Sequence, residues 1–200
     1  MSFHPIMPYG EGFHRSDRVL LHKGEPFTYT PERAAHLEEI CGKYPPERRK
    51  SAVLAAVYLV QDQQGYLTAN ALRHVAQFLG ITPAEVEDVA SYYVMFFKAP
   101  VGKYVLQVCR TLSCALAGAE RVTESLSEKL GLKVGETDAS GKFTLLEFEC
   151  LGACDRAPVV MVNNEHWHEK ATPESCSQLV DDLKARGLSA LSGCHLRVEK

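Results

Sequence analysis

Seven cysteines are present, and four of them form two tight pairs, Cys109-x4-Cys114 and Cys150-x3-Cys154, separated by 35 residues. Paired cysteines at such spacings are metal ligands or a redox couple more often than structural residues. Three chemistries compete for them. A structural zinc ion takes four ligands, usually with two- to four-residue spacings in both arms. A dithiol–disulfide couple favours Cys-x-x-Cys with one thiolate at a helix N-terminus, and neither pair has that spacing. The third is an iron–sulfur cluster. Four thiolates carried on two loops suit a two-iron, two-sulfide rhomb, for which an opening Cys-x4-Cys is a known spacing.

The residues around the pairs suit the third chemistry. Cluster sulfurs are negatively charged, more so when reduced, and hydrogen-bond donors must compensate them. Thr111-Leu112-Ser113 supplies backbone N–H donors between the first pair, and Cys114 is expected at the start of a helix, where the dipole favours a thiolate. Gly152 lets the second loop curl tightly. Arg110 and Arg156 adjoin ligand candidates and are either solvated surface charges or charge compensators that raise a reduction potential. His166 and His168 flank Trp167 and read as surface or turn histidines. Cys41, Cys176 and Cys194 stand alone and read as small packing residues.

The elements that must position these residues fall into two parts. Residues 1–29 lack apolar periodicity and are expected to form an extended arm. Four helices follow over 30–98. Thr30-Pro31 opens one that runs to Lys43, and Pro45-Pro46 ends it. A second runs from Glu47 to Gln63 with Val53, Ala56, Val57 and Val60 on one face, stopped by Gly65. Thr68 caps a third with Leu72, Val75, Ala76 and Leu79 aligned. Thr82-Pro83-Ala84-Glu85 is a capping box for a fourth carrying Val86, Val89, Ala90, Tyr93 and Phe97. The aromatic stretch Tyr92, Tyr93, Phe96, Phe97 is expected to give a packed core with a wet edge, or a patch facing a partner.

After Ala99-Pro100 the pattern changes. Residues 103–108 alternate as a strand, 115–130 form a helix, and 143–148 form a second strand. Residues 159–162 are an apolar, buried strand, Asn163-Asn164 marks a turn, and a short strand lies around Trp167. Thr172-Pro173 opens a last helix to Arg186. The order β-α-β-β-β-α over 99–187 is a small sheet with helices packed on it, and both cysteine pairs fall in loops at strand ends. Residues 188–200 read as a loosely attached tail. The fold class is therefore α+β in two parts, a helical bundle followed by an α/β domain.

Composition excludes several function classes. Apolar residues make up 46% of 200, enough for a real core. The net charge is −3, and divided at residue 98 the two parts carry −1 and −2, so nucleic acid is not the expected partner. The longest clean apolar run, Ala52 to Val60, is far short of the roughly 20 residues of a membrane span. The first residues lack a secretory h-region. No Gly-x-Gly-x-x-Gly occurs, so this chain is not expected to bind a dinucleotide in that way.

The stretches CRTLSC, GETDASGKFTLLEFECLGAC and APVVMVN, with YPPERRKSAVLAAVYLVQDQQGYL and VASYYVMF upstream, strongly resemble the 24 kDa (E) subunit family of respiratory complex I, the NADH:quinone oxidoreductase. The resemblance covers residues 31–186. It implies a thioredoxin-like domain binding one [2Fe-2S] cluster through Cys109, Cys114, Cys150 and Cys154, with no catalytic residue of its own. It implies FMN and NADH in a neighbouring flavoprotein subunit, further peripheral-arm subunits as partners, and a position on the cytoplasmic side of the inner membrane. Related subunits serve NAD-dependent hydrogenases and formate dehydrogenases. A mainly structural docking subunit is the reading from another class.

Overall fold

A threonine side chain caps four helices, and in three of them proline follows. The hydroxyl accepts a first-turn N–H that has no partner within the helix, and proline gives up an N–H that would otherwise go unsatisfied. The computed structural model describes residues 23–191. The chain divides into two compact units with the break after Pro100.

The first unit holds α1 (Pro31–Cys41), α2 (Val53–Gln64), α3 (Ala69–Leu79) and α4 (Pro83–Tyr92). The core between them contains Leu37, Ala56, Val57, Val60, Leu72, Val75, Ala76, Leu79 and Val86. Of the face expected on the second helix, Ala56, Val57 and Val60 are buried and Val53 is half-buried. The start of that helix differs from expectation: Pro46–Ala52 is 3-10 and only Val53 onward is α. No side chain caps this end, and tight i→i+3 bonds are another way to satisfy orphan donors.

The expected arm over 1–29 lies outside the described residues from 1 to 22. Its last part is not free-standing. The Asn70 backbone N–H donates to the Lys23 carbonyl at 3.1 Å, and Asn70 Nδ2 donates to the Gly24 carbonyl at 2.8 Å. The Phe27 and Tyr29 rings stand edge-on to His74, and the Tyr29 hydroxyl donates to the Ala56 carbonyl at 2.8 Å.

The fourth helix is shorter than its apolar periodicity predicts. It ends at Tyr92, and Tyr93 is extended, so Phe97 is not helical. The cause is one side chain of α2. Gln61 Nε2 donates to the Met95 carbonyl at 2.9 Å, and Gln61 Oε1 accepts the Phe97 N–H at 2.7 Å. An amide that supplies both a donor and an acceptor replaces the partners that a continuing helix would have offered. The turn buries Phe96 and leaves Tyr92 79% exposed, so part of the aromatic stretch is packed and part faces outward. Gln61→Ala should lower the stability of this unit by about 2 kcal/mol, roughly 1 for each bond lost. Urea unfolding followed by far-ultraviolet circular dichroism checks this.

The second unit is a four-stranded sheet in the order β2-β1-β3-β4, from β1 (Tyr104–Cys109), β2 (Phe143–Phe148), β3 (Val160–Val162) and β4 (His166–His168). β1 and β2 are parallel, while β3 is antiparallel to both β1 and β4. Asn163 and Asn164, both with positive φ, make the tight β3–β4 turn. The buried Gln107 side chain of β1 accepts the Asn164 N–H at 3.0 Å. Residues 135–138 run along the outer edge of β2 and satisfy its backbone groups.

Three helices belong to this unit: α5 (Leu112–Leu116), α6 (Ala119–Leu130) and α7 (Pro173–Arg186). The core between α6, α7 and the sheet includes Leu106, Val108, Val122, Leu126, Phe143, Leu145, Val160, Val162, Val180 and Leu183. The single helix expected over 115–130 is two. Gly118 adopts φ +98, a left-handed conformation that interrupts the helical ladder and starts a new helix at Ala119. Beyond α7, residues 187–190 form a 3-10 turn, Leu191 packs partly against the core, and 192–200, with Cys194, lie outside the described residues.

Candidate metal centre

Parallel pairing brings the two cysteine loops together. β1 and β2 stay in register to their last residues, with Cys109 opposite Phe148, so the loop after each leaves the same end of the sheet. Cys109 is the last residue of β1, and its N–H donates to the Val159 carbonyl at 3.0 Å. Cys114 is the third residue of α5 rather than the opening residue of a long helix. Both are buried. Cys150 follows β2, Cys154 opens a 3-10 turn, and both are exposed.

Each of the four thiols interacts with at least one other. Cys150 Sγ and Cys154 Sγ lie 3.4 Å apart, Cys114 hydrogen-bonds with Cys109, and Cys154 feels the charge of Cys109. Burial is the main cause that pushes the Cys114 thiol up to about 11, with the neighbouring Cys109 adding to it. The Gly152 N–H holds the Cys150 thiol below its ordinary value, helped by Cys154. The Cys150 partner in turn raises Cys154.

The polar surroundings differ in part from expectation. From Thr111-Leu112-Ser113 the contacts to sulfur are hydroxyls. Thr111 Oγ1 is 3.3 Å from Cys109 Sγ, and the Thr111 and Ser113 hydroxyls also reach Cys150 and Cys154 of the other loop. A backbone donor comes from Gly152, whose N–H points at Cys150 Sγ at 3.4 Å. Gly152 has φ +79, where a Cβ would be strained, and this is the conformation that folds the peptide back toward the sulfur. Arg110 pairs with Glu147 at 3.9 Å and Glu149 at 3.5 Å. Arg156 pairs with Asp155 at 3.2 Å and Glu169 at 4.0 Å. Both guanidiniums are half-exposed and face carboxylates, as solvated surface charges do.

Four cysteine thiols carried in two loop pairs are a donor set that a binuclear cluster can take. Tetrahedral zinc needs all four sulfurs about 2.3 Å from one centre. A two-iron rhomb takes two thiolates on each iron, so two neighbouring pairs suffice. His168 Nε2 lies 2.9 Å from Ser175 Oγ, and His166 lies 3.8 Å from Glu165. Cys41 and Cys176 are packed in the cores of their own units.

The profile of the thioredoxin-like [2Fe-2S] ferredoxins matches residues 37–184. The chain belongs to this family. Its helical N-terminal region followed by the mixed sheet is the fold that the family resemblance implies, and the family implies a [2Fe-2S] cluster. The chain is 44% identical over 167 residues to the E subunit of the NADH-quinone oxidoreductase of Mycobacterium tuberculosis, which covers 82% of this chain and 65% of that relative. It is 43% identical over 149 residues to NADH-quinone oxidoreductase subunit 2 of Thermus thermophilus, covering 74% and 82%. The chain thus spans just under two thirds of the mycobacterial relative. Among solved structures, a chain of an NAD+-reducing [NiFe]-hydrogenase shares the fold at a TM-score of 0.58 and 21% identity, covering 67% of this chain and 23% of that one. No helix among the described residues is long and apolar enough to cross a membrane.

The fold adds participants that residue spacing did not single out. The Thr111 and Ser113 hydroxyls lie inside a stretch whose sequence points only to its backbone. Trp167 Nε1 donates to the Leu151 carbonyl at 2.9 Å, in the middle of the second cysteine loop. The histidines on either side, His166 and His168, stand out more by residue type, yet the indole between them is what touches the loop.

Proposed function

We propose that Cys109, Cys114, Cys150 and Cys154 hold one [2Fe-2S] cluster, and that the chain is the electron-transfer E subunit of an NADH:quinone oxidoreductase. The observation that carries this reading is the gathering of four thiols, two per loop, at one end of a parallel strand pair. The names borne by relatives at 43–44% identity support the parent complex. A helical domain over 30–98 and the thioredoxin-like domain over 99–187 are the division that goes with this reading.

The bound group would supply one-electron chemistry beside a flavin that accepts hydride as an electron pair. FMN and NADH belong to a flavoprotein partner, which with other peripheral-arm subunits keeps this chain on the cytoplasmic side of the membrane. This chain's own residues do three things for the transfer. The cysteines anchor the metal to the end of a rigid sheet. The Thr111 and Ser113 hydroxyls and the Gly152 N–H compensate negative charge on sulfur. The exposure of Cys150 and Cys154 keeps one side of the site open to a partner, and Leu112 and Leu116 stand exposed on α5 next to Cys114. A structural docking subunit and a hydrogenase diaphorase module are the other readings. The hydrogenase likeness extends to the fold alone.

The experiment is anaerobic reconstitution of the full chain, with iron, zinc and acid-labile sulfide counted and an EPR spectrum recorded after dithionite. About two irons and two sulfides per chain with a rhombic S = 1/2 signal support the reading. Zinc without sulfide or signal overturns it. Co-purification of tagged chain from its native host then separates the parents: a quinone-linked NADH dehydrogenase against a hydrogenase or formate dehydrogenase. Within the reconstituted chain, Thr111→Val should lower the reduction potential while iron content stays unchanged, because the hydroxyl donor favours the more negative reduced state.

A further inference from the structure

Of the residues outside the cysteine set, Trp167 has the most specific contact with it. The indole is half-buried against the core of the second unit and lies on β4, opposite Met161. Its N–H donates to the Leu151 carbonyl at 2.9 Å. That carbonyl and the Gly152 N–H belong to the same peptide group. In a trans peptide the C=O and N–H lie in one plane and point in opposite directions. Holding the carbonyl toward Trp167 therefore turns the N–H away from it, and that N–H faces Cys150 Sγ at 3.4 Å. Gly152, at φ +79 with no atom within 4 Å of where a Cβ would stand, offers no steric barrier that would hold the plane by itself.

The rest of the loop is supported from the same direction. The Lys170 N–H donates to the Arg156 carbonyl at 2.7 Å, and the Ala171 N–H donates to the Pro158 carbonyl at 2.8 Å. β4 itself is tied to the cap of α7 through His168 and Ser175. These backbone bonds hold the loop beyond Cys154. The stretch between the two cysteines is exposed at Cys150, Gly152 and Cys154, and Trp167 reaches its middle.

We propose that Trp167 is a positioning residue: its indole N–H fixes the Leu151–Gly152 peptide plane so that the Gly152 N–H donates to Cys150 Sγ, which raises the reduction potential of the bound cluster. The inference rests on the cysteines holding the [2Fe-2S] cluster. A hydrogen bond to a ligand sulfur stabilises the reduced, more negative form. Polarisation along a chain of bonds adds to this, because a carbonyl that accepts from indole makes its own peptide N–H a stronger donor.

The chain contains one tryptophan. Biosynthetic replacement of tryptophan by β-(3-benzothienyl)alanine, an isostere with sulfur in place of N–H, removes the donor at this position alone. Trp167→Phe is the second variant. Both are compared with the parent in the full chain. The expected result is unchanged iron and sulfide with a lower midpoint potential, about threefold in the reduced-to-oxidised ratio, or ~28 mV at 59 mV per tenfold. In the metal-free chain, amide exchange at 150–154 should quicken by about fivefold, the worth of one ordinary hydrogen bond, while exchange at 135–138 stays as in the parent. An isostere whose potential matches the parent's overturns the tuning role, and one whose loop exchange matches overturns the anchor. A parent chain that takes up no iron and sulfide instead overturns the cluster reading, and with it the tuning role, while the exchange comparison still decides the anchor.

Discussion

Cys150→Ala is expected to purify with close to no iron and acid-labile sulfide, while its metal-free form unfolds at the same urea midpoint as the metal-free parent. Cys150 is exposed, its backbone lies beyond the end of β2, and its side-chain partners are the Cys154 sulfur, the Gly152 N–H and the Thr111 hydroxyl. Removing it empties no core volume, so the change in stability should stay within about 0.5 kcal/mol. It leaves a rhomb with three thiolates, and an alanine offers no replacement donor. Cys114→Ala should lose the metal equally but also cost the metal-free fold ~1–2 kcal/mol, because Cys114 is 2% exposed and packs with Cys109 and Ala119 in the core of the second unit. The contrast is informative. If both variants lost metal only because they unfolded, Cys150→Ala would be as unstable as Cys114→Ala. Iron and sulfide analysis beside urea curves of the metal-free chains measures it. Assembly of the Cys150→Ala chain with its partners, with altered flavin chemistry, would favour the electron role over docking alone.

Much of this site was legible in the residues. Cys-x4-Cys and Cys-x3-Cys carry their meaning in spacing, and the strands before them are short apolar runs bounded by glycine and proline, so both loops could be assigned to strand ends. That the loops converge depends on β1 and β2 being parallel, which follows from the helical crossover between them. The helix caps were equally plain, since Thr-Pro acts through atoms one to three residues away.

What was not legible depends on contacts distant in sequence. Periodicity carried the fourth helix through Tyr93 to Phe97, and nothing local ends it at Tyr92. The partner that ends it, Gln61, is more than thirty residues upstream and looks like any exposed glutamine of an amphipathic helix. Gln107 reads as the polar face of a strand, yet it is fully buried because the Asn164 backbone and side chain satisfy its amide. The break at Gly118 was a lone glycine inside an otherwise helical pattern, which propensity alone treats as a modest cost. Its left-handed φ appears only once α5 must turn to present Cys114 beside Cys109.

Phe143→Ala should lower the unfolding free energy of the second unit by about 3–5 kcal/mol, the largest loss expected from a single core truncation here. Phe143 is 1% exposed and opens β2 opposite Tyr104 of β1, with the two rings 5.3 Å apart. Lys184 of α7 lies over its face at 5.8 Å, so the ring joins the sheet to the helix layer. Its position in β2 limits how far neighbours can collapse into the space. An Asp138 carboxylate oxygen accepts the Phe143 N–H at 3.1 Å, and the Asp138 N–H donates to the Phe143 carbonyl at 2.9 Å, which holds the backbone from the outer edge. The truncation therefore leaves most of its volume as a cavity, and the penalty adds to the lost transfer energy. The single tryptophan lies in the same unit, on β4, so its fluorescence follows this unit's unfolding in urea. A drop of this size in the midpoint, at unchanged slope, identifies a packing loss. A changed slope would mean that truncation altered the extent of the cooperative unit. Phe143→Leu, which restores most of the volume but not the ring contacts with Tyr104 and Lys184, should recover more than half of the loss, because the cavity is the larger share of the cost.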